Sequence, residues 1–250
     1  MKLKLISCEV FYREMCATIA RSPNQVDVEF MPKGLHDLES NDMQRRIQAR
    51  LDAVGESDYD AVIFGYGLCN NGLHGLKARQ IPVVIPRAHD CITLFFGCRK
   101  RYTEYFTSNP GVYFKTSGWI ERGEVSQELV QASIGHKTGM DRTYDELVEQ
   151  YGEDNAGFLY ETLCRDNAPH YSKMTYIEMG VEPDRRFEDR AREDAQAKGW
   201  NFEHVQGDMT LIEKLVNGNW DEHFLVVRPG EQIVVKHDED IIAAAPHGPE

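Results

Sequence analysis

No apolar run in this 250-residue sequence approaches the roughly 20 residues that a membrane helix requires, so no membrane partner is expected. A basic stripe is missing too: 28 Lys and Arg stand against 41 Asp and Glu, a formal net charge of −13. Phosphate backbones are gripped by clustered cations. The nearest basic runs, Arg99-Lys100-Arg101 and Arg185-Arg186, sit among acidic neighbours, so nucleic acid is not an expected partner. The opening MKLKLISCEV has neither the apolar core nor the small-residue cleavage site of a signal peptide, which predicts a cytoplasmic protein. Cysteine is sparse, with six residues in the chain, too few for a disulfide scaffold. Compact Cys-x-x-Cys pairs are absent, which excludes a zinc knuckle of the usual kind. No internal repeat is evident.

What is present is a succession of strands and helices. KLKLIS, VDVEFM, YDAVIFG and IPVVI read as four strands, the third a continuous apolar run of the kind buried in a parallel sheet. Helices are expected over about 11–20, 41–54 and, briefly, 73–78, and VYFK at 112–115 reads as a fifth strand. Residues 120–170 carry a helical pattern. A second set follows, with MTYIEM, NFEHV and HFLVV as strands and helices over 184–198 and 209–216. Alternating strands and helices imply parallel sheets. The expected fold is therefore α/β, with two Rossmann-like lobes, a helical insert and a cleft between the lobes. The expected division is 1–119 for the first lobe, 120–172 for the helical connection and 173–250 for the second lobe. The tail IIAAAPHGPE is expected to be a frayed end.

In open parallel sheets, ligands bind beyond the carboxyl ends of the strands. Here the first strand leads to Cys8, the second to His36, the third to Cys69, and the fourth to Arg87, His89, Asp90 and Cys91. Four successive strands thus deliver thiol or imidazole to one edge. Each residue also has a plainer reading. A strand-end cysteine is often a small buried side chain, Asp90 suits a helix N-cap, and His36 could be a loop residue remote from the rest. The loop around Cys69 contains Gly67, Asn70 and Gly72, which would let backbone approach a bound cofactor, or simply serve a tight turn. Arg87 could hold a substrate carboxylate or phosphate, or pair with an acidic side chain. Asp90 could orient an imidazole. Cys16, Cys98 and Cys164 are read as structural. The later strand-end residues Glu178, Gly180, Gly207, Asp208, Arg228 and Gly230 are weaker candidates, Asp208 as a cap and Arg228 as a closing cation. Trp119 and Trp220 are read as cleft lining or packing.

Three thiols with one or two imidazoles suit a borderline-soft metal, zinc by default. Cys8, Cys69, Cys91, His89 and His36 are the candidate ligands. Their spread over more than eighty residues predicts a site assembled by the tertiary fold and open to a small, anionic substrate. An iron–sulfur cluster on three thiolates is an alternative. So is a metal-free enzyme built on a reactive thiol, or a carrier of metal or small molecule without turnover. The CNN segment after the third strand is similar to the strand–Cys-Asn-Thr turn of aspartate/glutamate racemases, but GDM after NFEHV lacks the opposing cysteine of that group.

The blocks GYGLCNNGLHGLKA and IPVVIPRAHDCITLFFG, with SGWIE and the late FLVVRPGE, resemble the bacterial and archaeal domain-of-unknown-function family sixteen-thirty-eight over roughly residues 3–233. That resemblance associates the chain with corrinoid-dependent methyl-transfer systems. It implies one-carbon chemistry beside a corrinoid or methyltransferase partner, and carries the motif onto Cys8, His36, Cys69, His89, Asp90 and Cys91.

Overall fold

The computed structural model describes residues 1–55, 58–138, 140, 142–160 and 171–248. Its larger sheet contains β1 (Lys2–Cys8), β2 (Gln25–Met31), β3 (Ala61–Gly65), β4 (Val83–Pro86) and β8 (Phe224–Val227), in the order β2-β1-β3-β4-β8. The first four are parallel and β8 runs antiparallel along β4. Every residue of β3 is buried, as its unbroken apolar sequence requires of a central strand covered on both faces. Val62 and Phe64 point into one core with Met43, Ile47 and Leu51 of α2 (Ser40–Asp52). Ile63 points into the opposite core with Phe11, Met15 of α1 (Tyr12–Ile19), Phe95 of α3 (Cys91–Phe95) and Leu211 of α11 (Thr210–Asn217). The period-2 alternation of a strand thus separates two helical layers.

The smaller sheet is parallel and holds β5 (Val112–Lys115), β6 (Lys173–Glu178) and β7 (Asn201–Gln206) in that order. Helix α10 (Arg186–Ala197) covers it through Phe187, Ala191 and Ala195. Ile177 and Met179 reach the core shared with α3 and α11, so those helices bridge the two sheets. Helix α4 (Arg99–Ser108) links α3 to β5. Between β5 and β6 the described residues form five short helices, α5 (Ser117–Glu121), α6 (Gln127–Ala132), α7 (Ile134–Thr138), α8 (Tyr144–Tyr151) and α9 (Glu153–Leu159). Cys164 lies outside the described residues. The parallel α/β class expected from the strand pattern is the class observed.

Three local expectations are corrected. Sheet membership does not follow the division at 119 and 173: β5 pairs with β6, whereas β8 returns to the larger sheet. A four-residue apolar strand reads the same in either sheet, so its pattern cannot name its partner. Residues 73–78 form no helix: a turn ends at Gly75 and Lys77 bridges Gln232, since Gly75 sits at φ 77° and its amide donates to Ile233. The tail is not frayed over its first half. Ile242–Pro246 forms β10, antiparallel to β9 (Glu231–Val235), and Ile241 and Ile242 are buried. The adjacent isoleucines complete the α2-side core. No described helix is long and apolar enough to cross a membrane.

Candidate functional site

Loops at the carboxyl ends of β1, β3 and β4 enclose a cavity of about 420 Å³. Cys8 ends β1 and starts a tight turn at Glu9–Phe11. Cys69 follows β3 in a loop whose amides pair with the next crossing. Leu68 donates to Ala88 at 2.8 Å and Cys69 to His89 at 2.9 Å. Cys91 is the first residue of α3 after β4. All three cysteines line the cavity, with Gly67, Asn70, Asp90 and His36. Phe11, Tyr66, Tyr102, Phe114 and Trp119 supply much of its wall.

The Cys69 loop is held in a costly conformation. Cys69, Asn70 and Asn71 have φ of 37°, 50° and 58°, a left-handed run that asparagine tolerates and cysteine rarely adopts. Asn70 anchors it, donating from Nδ2 to Leu38 at 3.0 Å while its carbonyl accepts from Ser40 Oγ at 2.5 Å. Gly67 is required by close approach: a Cβ there would lie 2.6 Å from the Asp90 carbonyl carbon. Gly72 packs against the Met43 thioether and does not line the cavity.

Desolvation in the cavity wall pushes the Cys8 and Cys69 thiols up to about 12 and Cys91 well above the ordinary thiol range. The sulfurs are near enough to act on one another. Negative charge on Cys69 raises Cys8, and charge on Cys69 and Cys8 raises Cys91. The Trp119 indole lies on the Cys91 side and opposes that rise, although its buried N–H is in no hydrogen bond. The three sulfurs are nonetheless spread. Among the described residues, the one set of three candidate donors all within 4.8 Å of one another is Asp221, Glu222 and His223, away from the cavity.

Asp90 caps α3, accepting from Ile92 at 3.0 Å and Thr93 at 3.3 Å, and its other oxygen accepts from the Tyr102 hydroxyl at 2.9 Å. Among the described residues it bonds no imidazole. His36 lines the cavity, but both ring nitrogens are engaged, Nδ1 with the Lys33 carbonyl and Nε2 at 3.0 Å from Asp37. His89 faces a different cavity, with Cys98, His223 and Asp238, while its neighbours Asp90 and Cys91, at the start of α3, line the first. Arg87 is drawn to the C-terminal hairpin, where it donates to the Asp240 carbonyl at 3.1 Å and to the Ile242 carbonyl. Cys98 caps α4 through the Arg101 amide. Asp208 accepts from Thr210, Trp220 donates to Leu215, and Arg228 is exposed at the turn before β9.

Two site residues had no distinguishing signal in the sequence. Lys33 begins the turn that carries His36. Its ammonium reaches the Trp119 carbonyl at 3.5 Å and stands 5.2 Å above the Trp119 ring. Tyr66 follows β3 directly; it is 3% exposed and its hydroxyl has no partner.

A family described as "Protein of unknown function (DUF1638)" matches residues 30–216. The chain belongs to that family. The match takes in Lys33, His36, Tyr66, Cys69, Asp90, Cys91 and Trp119, and leaves Cys8 and the C-terminal hairpin outside it. It is also shorter at both ends than the span over which the sequence motifs resemble the family. No curated protein and no solved structure matches the chain.

Proposed function

We propose that the chain is a metal-dependent small-molecule enzyme in which Cys8, Cys69 and Cys91 hold a soft metal at the floor of the aromatic cavity. The observation that carries this reading is the convergence of three thiols, from three different strand ends, on one cavity. Zinc is the first choice, since thiolates and an open position are what catalytic zinc uses. Around one zinc, with bonds of about 2.3 Å, the sulfurs must lie closer than they do now; an iron–sulfur cluster holds its thiolates further apart. Both fit a three-thiolate donor set, and the spread of the sulfurs keeps the cluster as the second reading.

His36 and His89 are not part of the proposed ligand set, because one is engaged at both nitrogens and the other faces elsewhere. The fourth position is thereby left to a substrate or water. A bound zinc would supply Lewis acidity, lowering the pKa of a water or thiol placed there. The chain's own part is to exclude bulk water with its aromatic wall and to fix the thiols through the Cys69–His89 backbone contact. One-carbon transfer beside a corrinoid protein is the reaction class that the family resemblance supports. A metal-free reactive-thiol enzyme is disfavoured by burial: thiols pushed to about 12 are almost wholly protonated near neutral pH and weak as nucleophiles. Metal binding reverses this by displacing the proton.

The test is elemental analysis and a visible spectrum of protein purified anaerobically without a metal-affinity tag. About one zinc per chain without colour, lost in Cys69→Ser and Cys91→Ser, supports the zinc site. Brown protein with iron and sulfide replaces zinc by a cluster on the same ligands. Metal-free protein that takes up neither zinc nor iron overturns the proposal.

A further inference from the structure

Apart from its thiols, the cavity carries polar groups that are strongly biased towards donors. The Asp90 carboxylate is fully occupied by two backbone amides and the Tyr102 hydroxyl. His36 is engaged on both sides, and Asn70 spends its amide group on Leu38. What remains is the Tyr66 hydroxyl, the Trp119 indole N–H and the Lys33 ammonium. The first two are buried and, among the described residues, in no hydrogen bond, and a buried donor left without an acceptor is destabilising. Both residues line the cavity, so an acceptor placed there would satisfy them.

Lys33 sets the charge of that acceptor. Its ammonium has the single long contact to the Trp119 carbonyl and, among the described residues, no carboxylate within 4.0 Å. The carboxylates near it are committed elsewhere. Glu9 accepts from the Lys33 backbone amide at 2.8 Å, and Asp37 pairs with His36. Lys115 lies close enough to repel it; that second ammonium stands 5.6 Å above the Tyr113 ring and also has no carboxylate within 4.0 Å among the described residues. One cation, Lys33, therefore lines the cavity, with a second near it but outside the lining, in a chain of net charge −13. Much of the remaining wall is aromatic, and rings favour flat apolar bodies through offset and edge contacts.

We propose that the cavity binds a small molecule with a flat apolar body and one carboxylate, the carboxylate seated on Lys33 beside Trp119. This assigns to Lys33 the anion-binding role that the sequence offered to Arg87. It rests on the cavity being the working site of the protein, and not on which metal the thiols hold.

Benzoate is the probe, with benzamide as its uncharged counterpart, in equilibrium dialysis against the full chain as purified. Benzoate is expected to bind saturably at one site per chain, and benzamide at least about tenfold more weakly, the loss of one charge-assisted hydrogen bond. Lys33→Met is expected to lower benzoate affinity by a similar factor, and Lys33→Arg to retain most of it. Equal binding of benzoate and benzamide, undiminished binding in Lys33→Met, or no saturable binding of benzoate overturns the proposal. The benzoate–benzamide comparison stands on the unaltered protein, so a poorly folded variant does not decide it. Metal content is measured in the same samples, with Cys69→Ser alongside. That variant is expected to lose metal yet keep the preference for benzoate over benzamide. Loss of metal with the preference intact concerns the thiol site alone; loss of the preference with metal intact concerns Lys33 alone.

Discussion

The Cys69 amide donates to the His89 carbonyl at 2.9 Å, and this bond fixes the loop after β3 against the loop after β4. It is made one residue beyond the Leu68–Ala88 contact, so two successive backbone bonds tie the two loops together beyond the ends of their strands. Cys69 and Cys91 are thereby held on the same cavity wall, close enough for the Cys91 amide to act on the Cys69 thiol.

Gly67 is the position on which that approach depends. Its hypothetical Cβ meets the backbone of Asp90, atoms that cannot rotate away. Gly67→Ala is expected to lower thermal stability by about 1–3 kcal/mol through overpacking and to separate Cys69 from Cys91, reducing metal content. Gly157→Ala is the control, since nothing lies within 4 Å of its Cβ position, and it is expected to be neutral or slightly stabilising in helix α9. Thermal melts and metal analysis of the two variants check this. Equal behaviour of the pair would show that the loop spacing does not matter.

Cys69 separates stability from function. Its φ of 37° is strained for cysteine, at a cost of about 1–3 kcal/mol, and glycine removes that cost. Cys69→Gly is expected to melt within a few degrees of the unaltered protein while losing its metal. Cys69→Val should lose both, because a β-branched residue cannot adopt that backbone conformation easily. A sharp drop in the melting temperature of the glycine variant would mean that the thiol's packing, not a ligand role, is what the position supplies.

The strand ends were legible in the sequence because parallel-sheet strands are short apolar runs and the residue after each run is fixed by counting. Cys8, Cys69 and Cys91 were singled out in that way, and all three line one cavity. His89 and Arg87 follow β4 just as closely, yet they face away from Cys91. Rotation about an extended segment decides which of four adjacent side chains enters the cavity, and composition does not encode it. Lys33 and Tyr66 were missed for a related reason: a lone lysine or tyrosine near a strand end is common, and these two are distinguished only by the lack, among the described residues, of a carboxylate beside Lys33 and of a hydrogen bond to the Tyr66 hydroxyl. The return of β8 to the larger sheet was hidden because FLVV offers the same apolar faces to either neighbour.

Glu14 provides a pH dependence remote from the cavity. It is fully buried in α1, neither carboxyl oxygen has a hydrogen-bond partner, and burial raises its pKa from 4.5 to about 8. The folded state therefore holds a proton that the unfolded chain releases near 4.5. Between that value and about 8 the folded form binds more protons, so this group's contribution falls as pH rises, by at most about 1.4 kcal/mol per unit. Below 4.5 and above about 8 the slope vanishes. Glu14→Gln is expected to flatten the stability profile from pH 5 to 8 and to be the more stable protein at pH 8. Denaturant melts across that range test it, and an unchanged slope in the glutamine variant would place the titrating group elsewhere.

Arg87 is expected to matter for the C-terminal hairpin and not for the cavity. Its guanidinium donates to the Asp240 and Ile242 carbonyls, and the Asp240 carboxylate lies 3.8 Å away. Removing it leaves carbonyls at the start of β10 short of a donor, at a cost of about 1–3 kcal/mol. Local opening of β9 and β10 should then precede global unfolding. Arg87→Ala is accordingly expected to cut faster under limited proteolysis within residues 236–241, the segment joining the two strands. Its benzoate affinity and metal content should stay those of the unaltered protein. If Arg87→Ala instead weakened benzoate as much as Lys33→Met, the anion would belong to the strand end that the sequence pointed to, and the hairpin contacts would be incidental.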